Sequence, residues 1–333
     1  MRKSLLNKRV LAWCLIVLCV FSSIGPVHAW GFFAHRRINE LAIYTLPTEM
    51  FGFYKEHRDF LSEHAVDPDK RRYGVEGEAQ RHFIDIDHFC DGTPHCNPFL
   101  KMPRSWFEAV KLHSEDTLQA YGIVPWHIHV MVKRLTKAFE SKDVNRILRT
   151  SAELGHYIAD AHVPLHTTEN YNGQMTNQKG IHGFWESRLP ELFENDYDFF
   201  VGKAQYVEKP LDFAWDFVED SHWALDSVLR FEKELTESYP SDQKYSYEER
   251  GRVIINTYSE GFSKAYHERL NGQVERRMRE SVIDVGSLWY TAWVNAGQPN
   301  LDNLDADIDS IKEEIAKELD VPEQNALKKR EHE

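Results

Sequence analysis

The sequence is poor in positive charge. It has 40 lysine and arginine residues against 53 aspartate and glutamate residues, a formal net charge of −13 over 333 residues. No broad basic face is available to neutralise a nucleic acid backbone, and this argues against a protein that coats DNA. An enzyme that holds phosphate groups through metal ions is not excluded, because bound cations dominate the local electrostatic field.

Long apolar runs are missing except at the N-terminus. There a basic leader, MRKSLLNKR, precedes the apolar stretch VLAWCLIVLCVFSSIG and the small-residue site VHA. We predict a signal peptide over 1–29, cleaved after Ala29, and a secreted or periplasmic protein. The run is too short and wrongly flanked to favour a membrane span, although a retained anchor is the alternative. Cleavage makes Trp30 the new N-terminus.

Cysteine is scarce, and half of it lies in the predicted leader. Of the four cysteines, Cys14 and Cys19 leave with the signal peptide, whereas Cys90 and Cys96 bracket a short loop. In an oxidising compartment this spacing favours a local disulfide. A zinc clip is less favoured, because only His95 lies between the two cysteines.

Repeats, low-complexity segments and alternating strand patterns are absent or nearly so, and helical periodicity dominates. Apolar residues three and four apart predict helices over 35–44, 106–121, 130–139, 144–161, 184–193, 213–235, 247–270 and 274–294. Asp143 and Asp212 are candidate N-caps. The class is all-α, with loops over 63–102 and 167–180. We expect one domain over 30–300 and a charged, solvated helical tail over 301–333 without a catalytic role.

The stretch HYIADAHVPLH, residues 156–166, is unusually rich in metal-binding side chains. His156 and Asp160 are four apart and share a helix face. Pro164 ends the helix, and His166 follows. The fragment suits a metal site, although a single such pair is more often a salt bridge or a cap. His162 points to another side, which favours a hydrogen-bonding role over ligation.

A second fragment, IHGFWE, opens another predicted helix and again places a histidine and a carboxylate, His182 and Glu186, four apart. Two such pairs on neighbouring helices can converge on one small volume, as in the metal sites of helical bundles. No H-E-x-x-H motif occurs, so a zincin protease is disfavoured.

Two more fragments lie earlier in the chain. One is the pair Asp67 and His82, fifteen residues apart, and the other is His35, five residues after Trp30. A free α-amine titrates at about 8, so the amine of Trp30 can lose its proton and bind a metal.

Together these ordered motifs resemble the superfamily that joins bacterial zinc-dependent phospholipases C to single-strand-specific nucleases of the P-one and S-one type. The resemblance extends from Trp30 to about Ala296 and implies an all-α fold with three zinc ions. It implies one zinc on Asp67, His82, His156 and Asp160. It implies a second on Asp160, His35 and the Trp30 amine and carbonyl, and a third on His166, His182 and Glu186.

The resemblance also implies a mechanism, in which clustered zinc activates a water for in-line attack on phosphorus. Asp67 is a candidate to orient that water. The related nucleases use an arginine three residues beyond the aspartate, and Lys70 stands there, with Arg71 beside it. Lys70 or Arg71 is therefore a candidate to stabilise the charge that develops on the phosphorus. Lys70 is a point charge rather than a bidentate fork. Phe83 is a candidate substrate contact, although a core aromatic is the more common case.

The substrate stays open between a phospholipid and a single-stranded nucleic acid. The Trp30–His35 spacing and the sequence DAHVPLH resemble the nucleases. Glu186 and the short sequence separation of His166 from His182 resemble the phospholipases. The G-D-x-G-G-N signature of the nucleases is missing, since ENYNGQMTNQKG stands there. A non-catalytic metal-binding or scaffold protein is the alternative. Nothing in the sequence calls for an obligate protein partner, and we expect a monomer.

Overall fold

The computed structural model describes residues 31–90, 92, 96–251, 253–302, 304 and 306–319. The predicted signal peptide, Trp30 and the last fourteen residues lie outside this described part. None of the helices within it combines the length and apolar character that crossing a bilayer demands.

The fold is all-α, as predicted. The α-helices are α1 Phe32–Ala42, α2 Thr48–Glu56, α3 Arg58–Glu63, α4 Asp67–Arg71, α5 Trp106–His113, α6 Glu115–Tyr121, α7 Val124–Ser141, α8 Val144–Ala161, α9 Ile181–Gly183, α10 Leu189–Phe193, α11 Pro210–Ser238, α12 Glu260–Arg269, α13 Gln273–Asn295 and α14 Ile308–Leu319. Short 3-10 turns lie at Ile43–Thr45, His64–Val66, Ala79–Arg81, Ile86–Phe89, Pro98–Leu100, Pro164–Thr167 and Glu194–Asp196. A π-helical turn, Phe184–Arg188, joins α9 to α10.

Helix α8 forms the centre of the fold and is buried over most of its length. Its bounds match the prediction, because Asp143 caps it by accepting a hydrogen bond from Arg146 N at 3.1 Å. Helices α1, α7 and α13 pack around it. The close approach of α1 requires Gly155, since a Cβ there would lie 1.9 Å from Asn39 Oδ1.

Most of the predicted helices have different bounds, and two of the differences have a clear local cause. The helix predicted over 106–121 is divided into α5 and α6 at Ser114, whose φ of 68° is incompatible with a continuous helix. Asp212 is not an N-cap, because α11 already begins at Pro210, and a proline is favoured at the first helical position.

The helix predicted over 247–270 is wrong in its first half. Strands β1, Tyr245–Arg250, and β2, Val253–Tyr258, form an antiparallel hairpin with Tyr245 opposite Tyr258, and only α12 is helical. The strands are rich in β-branched and aromatic residues, which favour this conformation. Gly251, with a φ of 64°, lies at the turn.

The tail helix is not solvated on all sides. Ile311 and Ile315 of α14 are buried in the main core, against α4 and α8. An ion pair between Arg149 and Glu318 adds to this contact. The segment is rich in charged residues, but its two isoleucines lie one helical turn apart on the same face. Two such residues are enough to bury one face of a short helix.

Candidate metal centre

The end of α8 brings the first donors together. His156 and Asp160 are both buried, and α8 ends at Ala161. A 3-10 turn begins at Pro164, whose ring prevents the helix from continuing, and it directs His166 back towards the same volume. Asp160 Oδ1 lies 3.8 Å from His166 Nδ1.

One donor group surrounds Asp160 Oδ2. This oxygen lies 2.8 Å from His82 Nδ1 and 3.1 Å from His156 Nε2, and the two nitrogens are 3.0 Å apart. A tetrahedral zinc site with bonds of about 2.0–2.1 Å separates its ligand atoms by about 3.3 Å. The three atoms are therefore spaced like ligands of one zinc ion.

The aspartate that joins this group is Asp69 and not the predicted Asp67. Asp69 Oδ1 lies 3.6 Å from both His82 Nδ1 and His156 Nε2. The Asp67 carboxylate instead contacts His64 Nδ1 at 2.5 Å and Lys70 Nζ at 2.8 Å. The physical reason is the helical rotation of α4, which turns residues two apart by about 200° onto opposite faces.

The second oxygen of Asp160 faces a different imidazole. Asp160 Oδ1 lies 3.4 Å from His35 Nε2, and the His35 ring stacks on His156 at 4.0 Å between centroids. Trp30 lies outside the described residues. The backbone N–H of its neighbour Gly31 donates a hydrogen bond to Ser187 Oγ at 2.9 Å. Ser187 is the residue that follows Glu186.

The third group consists of His166, His182 and Glu186, all fully buried. The His166 and His182 Nε2 atoms are 3.0 Å apart, and Glu186 Oε2 lies 3.5 Å and 3.0 Å from them. The π-helical turn carries Glu186 and follows directly on α9, which carries His182. Such turns are rare and occur mostly at functional sites.

Backbone carbonyls orient two of the imidazoles. His156 Nδ1 lies 2.8 Å from Ala65 O, and His166 Nδ1 lies 2.6 Å from His82 O. A carbonyl can only accept, so each Nδ1 carries the proton and each Nε2 keeps a lone pair for a metal.

The electrostatics of the centre keep the donors in metal-binding form. Burial lowers the pKa of His82, with the charge of Arg72 adding to the effect, and burial also lowers the pKa of His166. Burial alone would raise the pKa of Asp160, but His156 and His166 outweigh it and hold that pKa well below its usual range. The lowered pKa values of His82 and His166 favour the neutral imidazole, and the lowered pKa of Asp160 favours the carboxylate, which are the forms that bind a metal.

Glu78 lies behind the cluster, and no sequence motif indicated a role for it. Its Oε1 lies 3.7 Å from His82 Nε2, on the side of the ring away from Asp160. Arg71 donates to Glu78 from Nε at 3.1 Å and to Glu153 from Nη1 at 2.7 Å, and Tyr157 donates to Glu78 from its hydroxyl. Arg71 is therefore committed to a buried network rather than to substrate. A carboxylate beyond a ligating histidine fixes the ring orientation.

Arg72 is a second residue that the sequence interpretation missed. It is buried, and its Nη1 lies 3.8 Å from Asp69 Oδ1. The resemblance predicts an arginine three residues after the aspartate. Lys70 stands at that distance from Asp67, whereas Arg72 stands at that distance from Asp69. This spacing was present in the sequence and was the signal that could have identified both residues.

The remaining predicted residues lie in other surroundings. Lys70 pairs with Asp67 and lies 6.0 Å from the centroid of the Phe32 ring. Phe83 is buried, with its ring against Gly122. His162 hydrogen-bonds to Ile158 O and Asp284 rather than to the cluster, in agreement with the prediction.

A disulfide joins Cys90 to Cys96, as the sequence favoured. The segment before it is tied to the loop that follows His166, because Thr168 Oγ1 donates to Asp87 Oδ2 at 2.6 Å. Asp87, three residues before Cys90, therefore contacts the segment that leaves the metal centre.

These features define an all-α protein with a buried centre of histidine and carboxylate donors. Among the described residues, three donor groups suit a metal: His35, Asp69 and His156; His82, His156 and Asp160; and His166, His182 and Glu186. The third group shares no residue with the other two, so the centre has donors for more than one ion. Nitrogen and carboxylate oxygen donors fit zinc.

The chain belongs to the zinc-dependent phospholipase C family, whose model matches residues 33–268. Zinc is therefore the metal of this family. The chain is also similar to solved structures of the alpha toxin from Clostridium absonum, at 10% identity and a TM-score of 0.45, and of a Clostridium perfringens alpha-toxin isolated from an avian strain, at 12% and 0.41. The matches cover 81% and 79% of this chain but 65% and 64% of those chains, just under two thirds. No curated protein matches the chain.

Proposed function

We propose that the chain is a zinc-dependent phosphodiesterase whose centre holds three zinc ions. The observation that carries this proposal is the arrangement of Asp160, whose Oδ2 faces His82 and His156 while its Oδ1 faces His35. A fully buried carboxylate that presents its two oxygens to separate imidazoles has the geometry of a bridge between two metal ions.

The proposed coordination changes one residue of the expected set. Asp69 replaces Asp67 beside His82, His156 and Asp160 at the first zinc. Asp160, His35 and the amine and carbonyl of Trp30 hold the second, and His166, His182 and Glu186 hold the third. A zinc ion with three protein ligands keeps an open position, which is the arrangement of catalytic zinc sites.

Zinc bound in this centre would lower the pKa of a coordinated water towards about 7 and offset the charge of a phosphodiester. The chain itself supplies orientation and charge. Asp69 directs a carboxylate at the first donor group, and Arg72 places a guanidinium beside it, where it can hold a phosphate oxygen through two donors. We assign to Asp69 and Arg72 the roles expected of Asp67 and Lys70.

A phospholipid is the favoured substrate. The family match, the glutamate at 186 and the short separation of His166 from His182 all support a phospholipase C type of activity. A single-stranded nucleic acid is the second candidate, and the arrangement of Asp69 with Arg72 favours it, because the related nucleases carry an arginine at this spacing.

A side-by-side assay tests the proposal and separates the two substrates. We expect hydrolysis of bis(p-nitrophenyl) phosphate that a chelator abolishes, together with faster turnover of phosphatidylcholine than of single-stranded DNA or RNA. The reverse preference would assign the nuclease activity. Three bound zinc ions with no turnover of any of these substrates would instead support a metal-binding scaffold.

The role of Trp30 requires its own experiment. Cleavage after Ala29 is a proposal, and N-terminal sequencing of the exported protein should begin at Trp30. We expect a form with one extra residue before Trp30 to lose about one zinc equivalent, because the amine then becomes an amide without a usable lone pair. An extended form with unchanged zinc content and rate would refute the role.

A further inference from the structure

An apolar cleft of about 510 Å³ lies outside the metal centre. Its walls come from the start of α5, from α7 and from the start of α11, and they include Trp106, Trp126, Val130 and Leu211. None of the residues assigned to zinc lines it. The volume is within the range of small-molecule sites, which are concave and mostly apolar.

The lining of the cleft changes from apolar to cationic along α7. Ile123, Trp126, Val130 and Lys133 all line it, in that order along the chain. At a rise of about 1.5 Å per residue, the distance from Ile123 to Lys133 is about 15 Å. Lys133 is exposed, and within the described residues no carboxylate forms an ion pair with it. A ligand that fits this surface has a long apolar part and an anionic end.

Two histidines line the cleft without adding charge. His127 is buried, and burial lowers its pKa well below the usual range. Burial also lowers the pKa of His129. His127 Nε2 is buried and has no hydrogen-bond partner in the described part of the chain. At neutral pH, Lys133 is therefore the charged group of the lining.

The cleft is separated from the zinc ligands by one side chain. The His127 ring lies 4.4 Å from the Tyr157 ring, and Tyr157 lies 5.4 Å from His82, measured between centroids. A ligand in the cleft contacts the far side of this layer and does not reach the metal donors. The site is thus distinct from the proposed hydrolytic centre.

We propose that this cleft binds the acyl chain of a fatty acid. The chain lies along Trp126 and Val130, and the carboxylate meets the Lys133 ammonium. The Trp106 and Trp126 rings, 5.2 Å apart in an edge-to-face arrangement, form the apolar wall.

Calorimetric titration of the zinc-loaded full-length protein tests the site with laurate, lauroyl lysophosphatidylcholine and dodecanol. We expect saturable 1:1 binding of laurate that is tighter than the binding of the lysophospholipid or of dodecanol. Tighter binding of the lysophospholipid would overturn the assignment to a fatty acid. Val130→Trp fills the cleft and should abolish laurate binding. Its control, Val253→Trp on β2, is also at an exposed valine and should bind normally.

A charge variant tests the polar end. Lys133→Gln should weaken laurate binding about threefold, as expected for an exposed ion pair, and should leave dodecanol binding unchanged. Lys137→Gln, one turn further along α7, is the matched control and should have no effect. Circular dichroism and zinc content confirm that each variant folds.

Three further results would overturn the proposal. The first is no saturable binding of laurate to the unmodified protein. The second is a folded Val130→Trp variant that binds as tightly as the unmodified protein. The third is that dodecanol binds as tightly as laurate and that Lys133→Gln has no effect. Those two results together would show that the ligand needs no anionic end.

Discussion

Asp160 is fully buried, and its two carboxylate oxygens face different imidazoles. Burying an ionised carboxylate is costly unless it is paired and hydrogen-bonded. Here the neighbouring imidazoles hold the pKa of Asp160 low. A buried ionisable group whose pKa is strongly shifted by specific neighbours is typical of a functional site.

The two aspartates of α4 give the sharpest test at this scale. Asp69→Asn should lower the zinc content by about one equivalent and the rate by more than tenfold, because even an indirect metal contact costs 10- to 100-fold. Zinc analysis and turnover of bis(p-nitrophenyl) phosphate measure both effects.

Asp67→Asn is the matched control for this test. It removes the contacts of Asp67 with His64 and Lys70 and should retain full zinc content. If Asp67→Asn loses zinc and Asp69→Asn does not, the assignment of the ligand is reversed.

Among the elements, α8 carries two donors and depends on its contact with α1. Asn39 Nδ2 of α1 donates to Ala152 O at 3.0 Å and to Leu61 O at 3.2 Å, and its side chain occupies the space that Gly155 leaves open. Helix α1 also carries His35. The close approach of the two helices therefore sets the position of His35 relative to Asp160.

A pair of glycine substitutions measures this contact. Gly155→Ala should destabilise the protein by about 1–3 kcal/mol, because the added methyl overlaps Asn39 and the core cannot expand freely. Gly52→Ala, in α2, meets nothing within 4 Å and should stabilise by about 0.5–1 kcal/mol. Denaturant unfolding compares the two variants, and equal effects would contradict the packing.

The docking of α14 can be tested in the same way. Ile311→Ala removes a buried side chain that packs near α4 and should cost about 2–5 kcal/mol. Lys317 lies on the exposed side of the same helix. Lys317→Ala should change the free energy of unfolding by less than about 0.5 kcal/mol. A solvated tail would give two variants with the same unfolding midpoint.

For the whole molecule, the metal centre and the core are coupled. The donors come from helices α1, α4 and α8 and from three further segments, which follow α4, α8 and the loop over 167–180. Bound zinc therefore ties distant parts of the chain together. A ligand that binds only the folded state stabilises it in proportion to the logarithm of its concentration over the dissociation constant.

Removal of zinc should therefore lower the melting temperature. We expect a decrease of roughly 5–10 °C in excess chelator, and recovery when zinc is added back. Differential scanning calorimetry measures the shift, with a magnesium addition as the control. A melting temperature that is the same with and without chelator would contradict the proposed centre.

The sequence alone determined much of the architecture because the signals are local. The periodicity of apolar residues and the Asp143 cap define α8, and the break at Pro164 defines its end. The four-residue spacings of His156 with Asp160 and of His182 with Glu186 place each pair on one helix face. Local geometry also allows the Cys90–Cys96 disulfide.

Only the tertiary structure shows that Asp69, rather than Asp67, lies beside His82 and His156. Both precede His82 at a suitable spacing, and the choice depends on which face of α4 meets α8. The same holds for Glu78 and Arg72, whose roles come from contacts with residues distant in sequence. The 245–258 hairpin and the docking of α14 likewise depend on long-range packing, which helical periodicity does not encode. Sequence thus fixes which donors exist and their order, whereas packing between distant elements selects the ones that converge.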